Sequence, residues 1–425
     1  MLTSLQLVDF KNFSDETLHM GPLTVIVGAN ASGKSNLRDA FRFLHGIGRG
    51  YTLSEIIGGK YGAGGQREWA PIRGAADEIV RFGQADFMLR VRAKGIDYSI
   101  RVGRSEEHGG AFRVREERLG RIPYGWDPTY NSHPDWDDPV RQQDDETHLL
   151  LRMRKTGTQR KLGDRIAVRP DQPALTQIRE RRRVARVHKE HAQQVIDLLA
   201  RMRFLDLEPN RMREPAFPGQ IRLGDGGENL PTVLKAICAD ERRREALAEW
   251  TRELTPMDVR DFDFQEDPTT GRVQLVFLEA NDRRVSAYAA SDGTLRFIAM
   301  LAGLLGSKTQ SLYVFEEIDN GIHPTRMRLL LDLIEGQTAK EQIQVVTTTH
   351  SPDLLAMIGD RTFEHTSVVC RREGTEDAVI RRVKNLPKAE EIRRTQGLGR
   401  LHASGWMEDA IAFTAEQPAA GAGGR

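Results

Sequence analysis

Eight consecutive residues, Gly28-Ala29-Asn30-Ala31-Ser32-Gly33-Lys34-Ser35, fit the pattern G-x-x-x-x-G-K-[ST]. Each residue type has a physical reason to be there. Glycines let successive backbone N–H groups wrap phosphate oxygens, and the start of a following helix adds partial positive charge. The Lys34 ammonium would reach the β- and γ-phosphates of a nucleoside triphosphate, and the Ser35 hydroxyl would ligate Mg²⁺. The flanks agree with this chemistry. An apolar, strand-like run, Leu23–Val27, precedes the loop, and a helical run, Asn36–Leu44, follows it, which is the context the pattern requires.

A phosphate loop needs an acid on a neighbouring strand to hold metal and position water. Leu312-Tyr313-Val314-Phe315-Glu316-Glu317 offers four apolar strand residues and then two carboxylates, which places the acids at the carboxyl edge of a sheet, where ligands collect. Glu316 suits the Mg²⁺ shell through water, and Glu317 suits the general base that polarises an attacking water. His350 ends a second β-branched run, Gln344–Thr349. Its imidazole could hydrogen-bond the γ-phosphate or the attacking water. Alone, a Glu pair after a strand reads as a solvated strand end, and a lone His reads as nothing in particular. Coupling to the Lys34 loop gives both their chemistry.

The elements that must hold these groups are legible from periodicity. Leu5–Phe10 and Leu23–Val27 read as strands, and Phe87–Val91 and Tyr98–Val102 flank Lys94-Gly95 as a β-hairpin. Farther on, strand-like runs (Val273–Leu278, Leu312–Phe315, Gln344–Thr348) alternate with helical ones (Thr294–Leu305, Thr325–Ile334). This alternation predicts an α/β fold with a parallel sheet and crossover helices. By itself, Ser291-Asp292-Gly293-Thr294 reads as a helix N-cap.

Taken together, the motifs resemble ATP-binding-cassette (ABC) ATPases of the SMC and RecF class, and in particular the bacterial RecF- and OLD-like AAA family ATPases. The resemblance is carried by Leu5-Gln6-Leu7-Val8-Asp9-Phe10-Lys11-Asn12-Phe13, by Gly28–Ser35 with Asn36, and by Ser291-Asp292-Gly293-Thr294-Leu295-Arg296. Glu316-Glu317-Ile318-Asp319-Asn320-Gly321-Ile322-His323-Pro324 and Thr349-His350-Ser351-Pro352-Asp353 complete the set, in the family's order.

It implies a P-loop NTPase head whose N- and C-terminal halves combine in one mixed sheet, with residues 1–113 as the first half and 220–385 as the second. Residues 114–219 would form an insertion of acidic loop and basic helical arm, and 386–425 an extension with a disordered tail. ATP with Mg²⁺ would be bound by Gly28, Asn30, Gly33, Lys34, Ser35 and Asn36, with Glu316 completing the metal shell. Ser291, Asp292 and Gly293 would be the signature that contacts ATP held by another subunit, so the resemblance implies a head-to-tail homodimer or higher oligomer. Asp319, Asn320 and His323 would belong to the D-loop crossing that interface. Many relatives of the wider class carry Asp where Glu316 stands. The Gln of the family's Q-loop has two candidates, Gln177 and Gln66. Too few residues follow His350 for a nuclease domain, so any nuclease or toxin effector is expected to be a separate partner.

Composition limits the remaining classes. The 62 Lys and Arg nearly cancel 61 Asp and Glu, yet the charges are segregated. Residues 127–146 carry seven acids against Arg141 and read as an irregular loop. Residues 152–189 carry thirteen bases against Asp164, Asp171 and Glu180, and the spacing predicts a helix from Leu175 to about Phe204. The cluster Arg179, Arg181, Arg182, Arg183, Arg186 and Lys189 suits the phosphate backbone of DNA or RNA. It suits a protein-docking face or pairing with the acidic stretch equally well. The longest nearly apolar run, Phe297–Leu305, is about half of a bilayer span, Met1–Phe10 alternates like a strand rather than a leader, and two cysteines make no disulfide framework. A cytoplasmic protein without a membrane partner is expected.

Two functions stay open. One is an ATP-hydrolysing, dimerising switch that controls a DNA transaction or an effector, in antiviral defence or DNA repair. The other is a nucleotide-gated scaffold with little turnover that holds a toxin or nuclease. A transporter motor fits poorly, because the acids lie so far beyond Lys34.

Overall fold

The computed structural model describes residues 1–106, 109–121, 127–132, 148–154, 162–306, 312–340 and 343–416. They form two compact units, each assembled from separated stretches of chain. The first takes residues 1–21, 28–202 and 367–381, and the second takes 22–27, 203–366 and 382–425.

In the first unit the sheet is built largely of antiparallel neighbours. Leu2–Phe10 pairs with Phe13–His19 on one side and with Asp86–Ala93 on the other. The hairpin across Lys94-Gly95 joins Asp86–Ala93 to Ile96–Ser105, as its flanking alternation predicts. Phe10 and Phe43 both meet Phe87 edge-on, with ring centroids 5.2 and 5.3 Å apart, and all three side chains are fully buried. Burying each such ring contributes about 1.5–3 kcal/mol. The helix Lys34–Gly48 crosses Arg186–Ala200 closely, because a Cβ on Gly48 would lie 2.4 Å from the Ala200 nitrogen.

Two expectations change here. The first concerns the insertion. Ala111–Arg121, Asp127–Asn131, Leu149–Arg154 and Leu162–Val168 are consecutive antiparallel strands that extend this sheet. Asp127–Asn131 is therefore strand, not irregular loop; the rest of the acidic stretch, from 133 to 146, lies outside the described residues, as does the tail beyond Glu416. Leu149, Leu151 and Met153 face the core while Leu150 and Arg152 do not, a period of two that the local charge count concealed.

The second concerns the basic arm, which is not one helix. Ala174–Ile178 and Arg186–Ala200 are separate helices, and Met202–Leu205 is a strand. Between the helices, Arg179, Arg182, Arg183 and Arg186 would stack like charges at i,i+3 and i,i+4 in a continuous helix, which is unfavourable. The chain turns there instead, and Ala185 is extended at ψ 143°.

The sheet ahead of the second of these helices is tied to the first by one buried acid. Glu117 is fully buried and accepts hydrogen bonds from Tyr98 and Tyr130 hydroxyls (3.2 and 2.8 Å) and from the Ala174 and Leu175 N–H groups (2.6 and 2.8 Å). Burial pushes its carboxyl up to about 7, against the pull of these donors.

The second unit holds the parallel core. Leu23–Val27, Gln344–Thr349 and Leu312–Phe315 lie side by side in parallel, with Val27 opposite Thr349 and Thr347 opposite Phe315. Every residue of the three strands is buried, as expected when both faces are covered. The helices Asp292–Gly306 and Pro324–Lys340 fall where the periodicity predicts. Val273–Leu278 does not join the parallel sheet. It pairs antiparallel with Val259–Glu266 and Arg284–Ser286 in a separate three-stranded sheet. A buried apolar run reads alike in either setting, so composition alone could not separate them.

Candidate nucleotide site and signature turn

In the first unit, the loop that follows Val27 has the backbone its sequence demands. Gly33 has φ +112° and caps the helix, and Ala31 is left-handed at φ +62°. A Cβ on Gly28 would lie 2.2 Å from the Val369 carbonyl oxygen, so only glycine fits there. The Lys34 ammonium donates to the Gly28 and Ala29 carbonyls at 2.5 and 2.7 Å and is 9% exposed. A cation is thus held inside the turn. Asn36 donates to the Asn12 side-chain oxygen at 2.8 Å, which ties the helix start to the turn after the first strand.

Two basic residues that sequence reading left without a role converge on the same helix. The Lys11 ammonium meets Asp39 at 2.7 Å, and Arg73 reaches Asp39 at 3.1 Å and the Ser35 carbonyl at 2.7 Å. Asp39 is 1% exposed, and two cations balance it, so its charge is compensated on site. No spacing rule connects Arg73 to the loop. The nearest signal is Lys11 itself, set between Phe10 and Phe13 in the opening motif.

In the second unit, the parallel register places the ends of two strands together. Glu317 follows Leu312–Phe315 by two residues and has φ +50°, a left-handed conformation that is uncommon outside glycine and marks functional turns. Its N–H donates to the Thr348 hydroxyl at 3.1 Å, and its carbonyl accepts from Asn320 N–H at 2.9 Å. The carboxylate lies 3.2 Å from His350 Nδ1. The acid and the histidine chosen from sequence are therefore in contact, each partly open to solvent.

Asp319 lies behind them, 9% exposed. Burial raises its carboxyl above the usual range, and a hydrogen bond with Thr349 opposes that. Its Oδ1 has no hydrogen-bond partner among the described residues. His323 Nδ1 contacts the Thr325 hydroxyl at 2.9 Å, and Asn320 is exposed at the turn.

Ser291, Asp292 and Gly293 open the helix Asp292–Gly306. Ser291 accepts from Thr294 N–H at 3.2 Å and meets the Thr294 hydroxyl at 2.9 Å, the N-cap read from sequence. Gly293 packs directly against the turn after the acids, since its Cβ would lie 2.3 Å from the Gly321 carbonyl oxygen. Gly293→Ala should therefore destabilise the protein by about 1–3 kcal/mol through overpacking, although Ala in an open helix would gain roughly 1 kcal/mol. Urea denaturation checks the sign, and a stabilised variant would show that the turn yields.

The two Q-loop candidates differ in their surroundings. The Gln177 amide is used by its own turn, bonding the Arg169 backbone N–H and carbonyl and the Gln172 carbonyl. Gln66 is exposed.

The basic cluster runs from the turn after Gln177 into the first residues of the helix Arg186–Ala200. Arg179, Arg181, Arg182, Arg183 and Arg186 are exposed, and Lys189 is half-buried. Arg186 pairs with Glu190 at 2.7 Å. A cleft of about 520 Å³ opens beside them, lined by Arg49, Arg169, Arg179, Arg181, Gln172 and Gln177. Among the described residues, no helix is long and apolar enough to cross a membrane.

A parallel core whose strands lead into a glycine-lysine loop, an acid turn and a histidine defines a P-loop ATPase of the ABC type, with the head fold of the SMC and RecF class. Residues 23–356 match the family described as "AAA domain, putative AbiEii toxin, Type IV TA system", and the chain belongs to it. It is 35% identical over 126 residues to the chromosome partition protein Smc of Rhodopirellula baltica. That match covers 28% of this chain and 10% of the relative, so the chain spans about a tenth of the length of that protein.

Among solved structures, an SMC head bound to the C-winged helix domain of ScpA aligns over 92% of this chain and 99% of its own, at 15% identity and a TM-score of 0.50. This likeness supports the fold. An SMC head with an extended coiled coil, bound to the C-terminal domain of ScpA from Pyrococcus furiosus, aligns at 14% identity over 93% and 98% of the two chains, with a TM-score of 0.45.

Proposed function

We propose that this chain is a cytoplasmic ATPase head that binds ATP with Mg²⁺, pairs head-to-tail with a second copy, and separates on hydrolysis to control a DNA transaction or a separate effector. The observation that carries the reading is the contact between Glu317 and His350 at the ends of parallel strands whose neighbour, Leu23–Val27, leads into the Lys34 loop. The Ser35 hydroxyl and the Glu316 carboxylate are hard oxygen donors. One or two such groups beside phosphates and waters suit Mg²⁺.

Glu317 would take a proton from the attacking water as its oxygen bonds to the γ-phosphorus, and ADP would leave with the electrons of the broken bond. His350 orients the carboxylate, and the signature of a second copy would complete the site. The test is ATP turnover measured alongside light scattering with and without ATP·Mg²⁺. Turnover together with nucleotide-dependent association supports the reading, whereas association that ignores nucleotide counts against it.

A scaffold reading, with little turnover and a toxin or nuclease held in place, draws support from the family description, "putative AbiEii toxin, Type IV TA system", and from the SMC head that was solved bound to the C-winged helix domain of ScpA. Tight ATP binding with turnover near background would favour it. Defence against foreign DNA or repair would be the setting of either reading.

The arginine turn would bind nucleic-acid phosphates. Arg179, Arg182 and Arg183 changed together to Glu should weaken binding to a labelled duplex, and the log–log salt slope should become shallower by about 0.9 for each phosphate that is no longer neutralised. Fluorescence anisotropy reads both quantities. Unchanged affinity and slope would move this face to protein docking.

A further inference from the structure

Arg213 belongs to none of the sequence motifs, yet it grips the signature turn. It ends the short helix Pro209–Arg213. Its Nη2 donates to the Ala290 carbonyl at 2.9 Å and to Asp292 Oδ1 at 2.6 Å, and its Nη1 reaches Asn210 at 3.2 Å. The Arg213 side chain is 16% exposed against 69% for Asp292. The next residue, Glu214, accepts from the Tyr288 hydroxyl at 3.2 Å. Ala216 then exchanges both backbone hydrogen bonds with Val273, at 2.9 and 2.8 Å. Residues 213–216 are thus fastened to the antiparallel sheet at one end and hold residues 288–292 at the other.

The charge at this turn presents a conflict. Asp292 sits in the first turn of a fifteen-residue helix, where a carboxylate stabilises the helix itself. The same N-terminus would receive an anionic phosphate, and an uncompensated carboxylate there would repel it. We propose that Arg213 is a positioning residue for the signature: it cancels the Asp292 charge and holds the turn at Ala290, so that the helix start can accept the triphosphate carried by a second copy. This inference rests on the proposed trans contact of Ser291–Gly293.

The test uses the full chain and two readouts, sedimentation velocity with ATP·Mg²⁺ for association and fluorescent ATP for nucleotide binding. Arg213→Ala should weaken ATP-dependent association by about tenfold or more while nucleotide affinity stays within about twofold. Adding Asp292→Asn to it should restore most of the association, because the uncompensated charge is then gone. A merely structural ion pair predicts instead that the double variant is no better than Arg213→Ala. That pattern, or unchanged association in Arg213→Ala, overturns the proposal. Ser291→Arg separates the two levels. If it leaves association intact, the signature reading itself falls, and if it abolishes association while Arg213→Ala does not, the role of Arg213 alone falls. Should Arg213→Ala not fold, Arg213→Lys and Arg213→Gln carry the test: Lys keeps the compensating charge and should retain most of the association, Gln removes it and should not, and equal association in the two overturns the proposal.

Discussion

Glu317→Gln is expected to keep ATP binding, slow turnover by about 10²–10⁴-fold, and accumulate as an ATP-bound dimer. The side chain keeps nearly the same shape, so its approach to His350 can persist while the proton-accepting charge is gone. The backbone at this position is left-handed and held by Thr348 and Asn320. Gln bears the same Cβ as Glu, so the substitution adds no strain there. Single-turnover hydrolysis and sedimentation with ATP·Mg²⁺ are the measurements. A variant that turns over normally would remove Glu317 from the chemistry. One that turns over slowly but stays monomeric would keep the chemistry and reject the dimer.

Lys34→Ala should raise the Kd for ATP by about 10–100-fold, because each charge-assisted hydrogen bond to phosphate contributes roughly 1.5–3 kcal/mol. Turnover and nucleotide-dependent association should disappear at ordinary ATP concentrations. The ammonium also donates to Gly28 and Ala29, so its removal leaves two loop carbonyls short of a donor and costs about 1–3 kcal/mol of stability. Thermal denaturation without nucleotide measures that cost separately. Unchanged fluorescent-ATP affinity in a folded variant would contradict the reading of the loop.

Much of the parallel core was legible because its signals are local. Four or five apolar residues followed by Gly28, or by Glu316-Glu317, announce a buried strand and what sits at its end. The Ser291 cap was equally plain. The strands Leu149–Arg154 and Leu162–Val168 were not, because arginines on the outward positions made charge more conspicuous than period. The break at Arg179–Ala185 depends on repulsion that a hydrophobic periodicity does not register. Lys11, Arg73 and Arg213 take their roles from partners distant in sequence, and no spacing rule reaches that far. At Gln177 the amide bonds the backbone of its own turn, a local pairing that periodicity does not register.

The backbone contact between Gly293 and Gly321 has a consequence for how two copies would work together. Within one chain it joins the start of the signature helix to the turn that carries Glu317. In the proposed head-to-tail pair those two pieces would serve different nucleotides, since the acids would act on the ATP of their own chain and the signature on the ATP of the other. A shift of the acid turn at one site would then be felt as a shift of the signature at the other. The two hydrolysis events would be cooperative, with a Hill coefficient above one for ATP, and the thread carrying that cooperativity would be a pair of residues with no side chains at all.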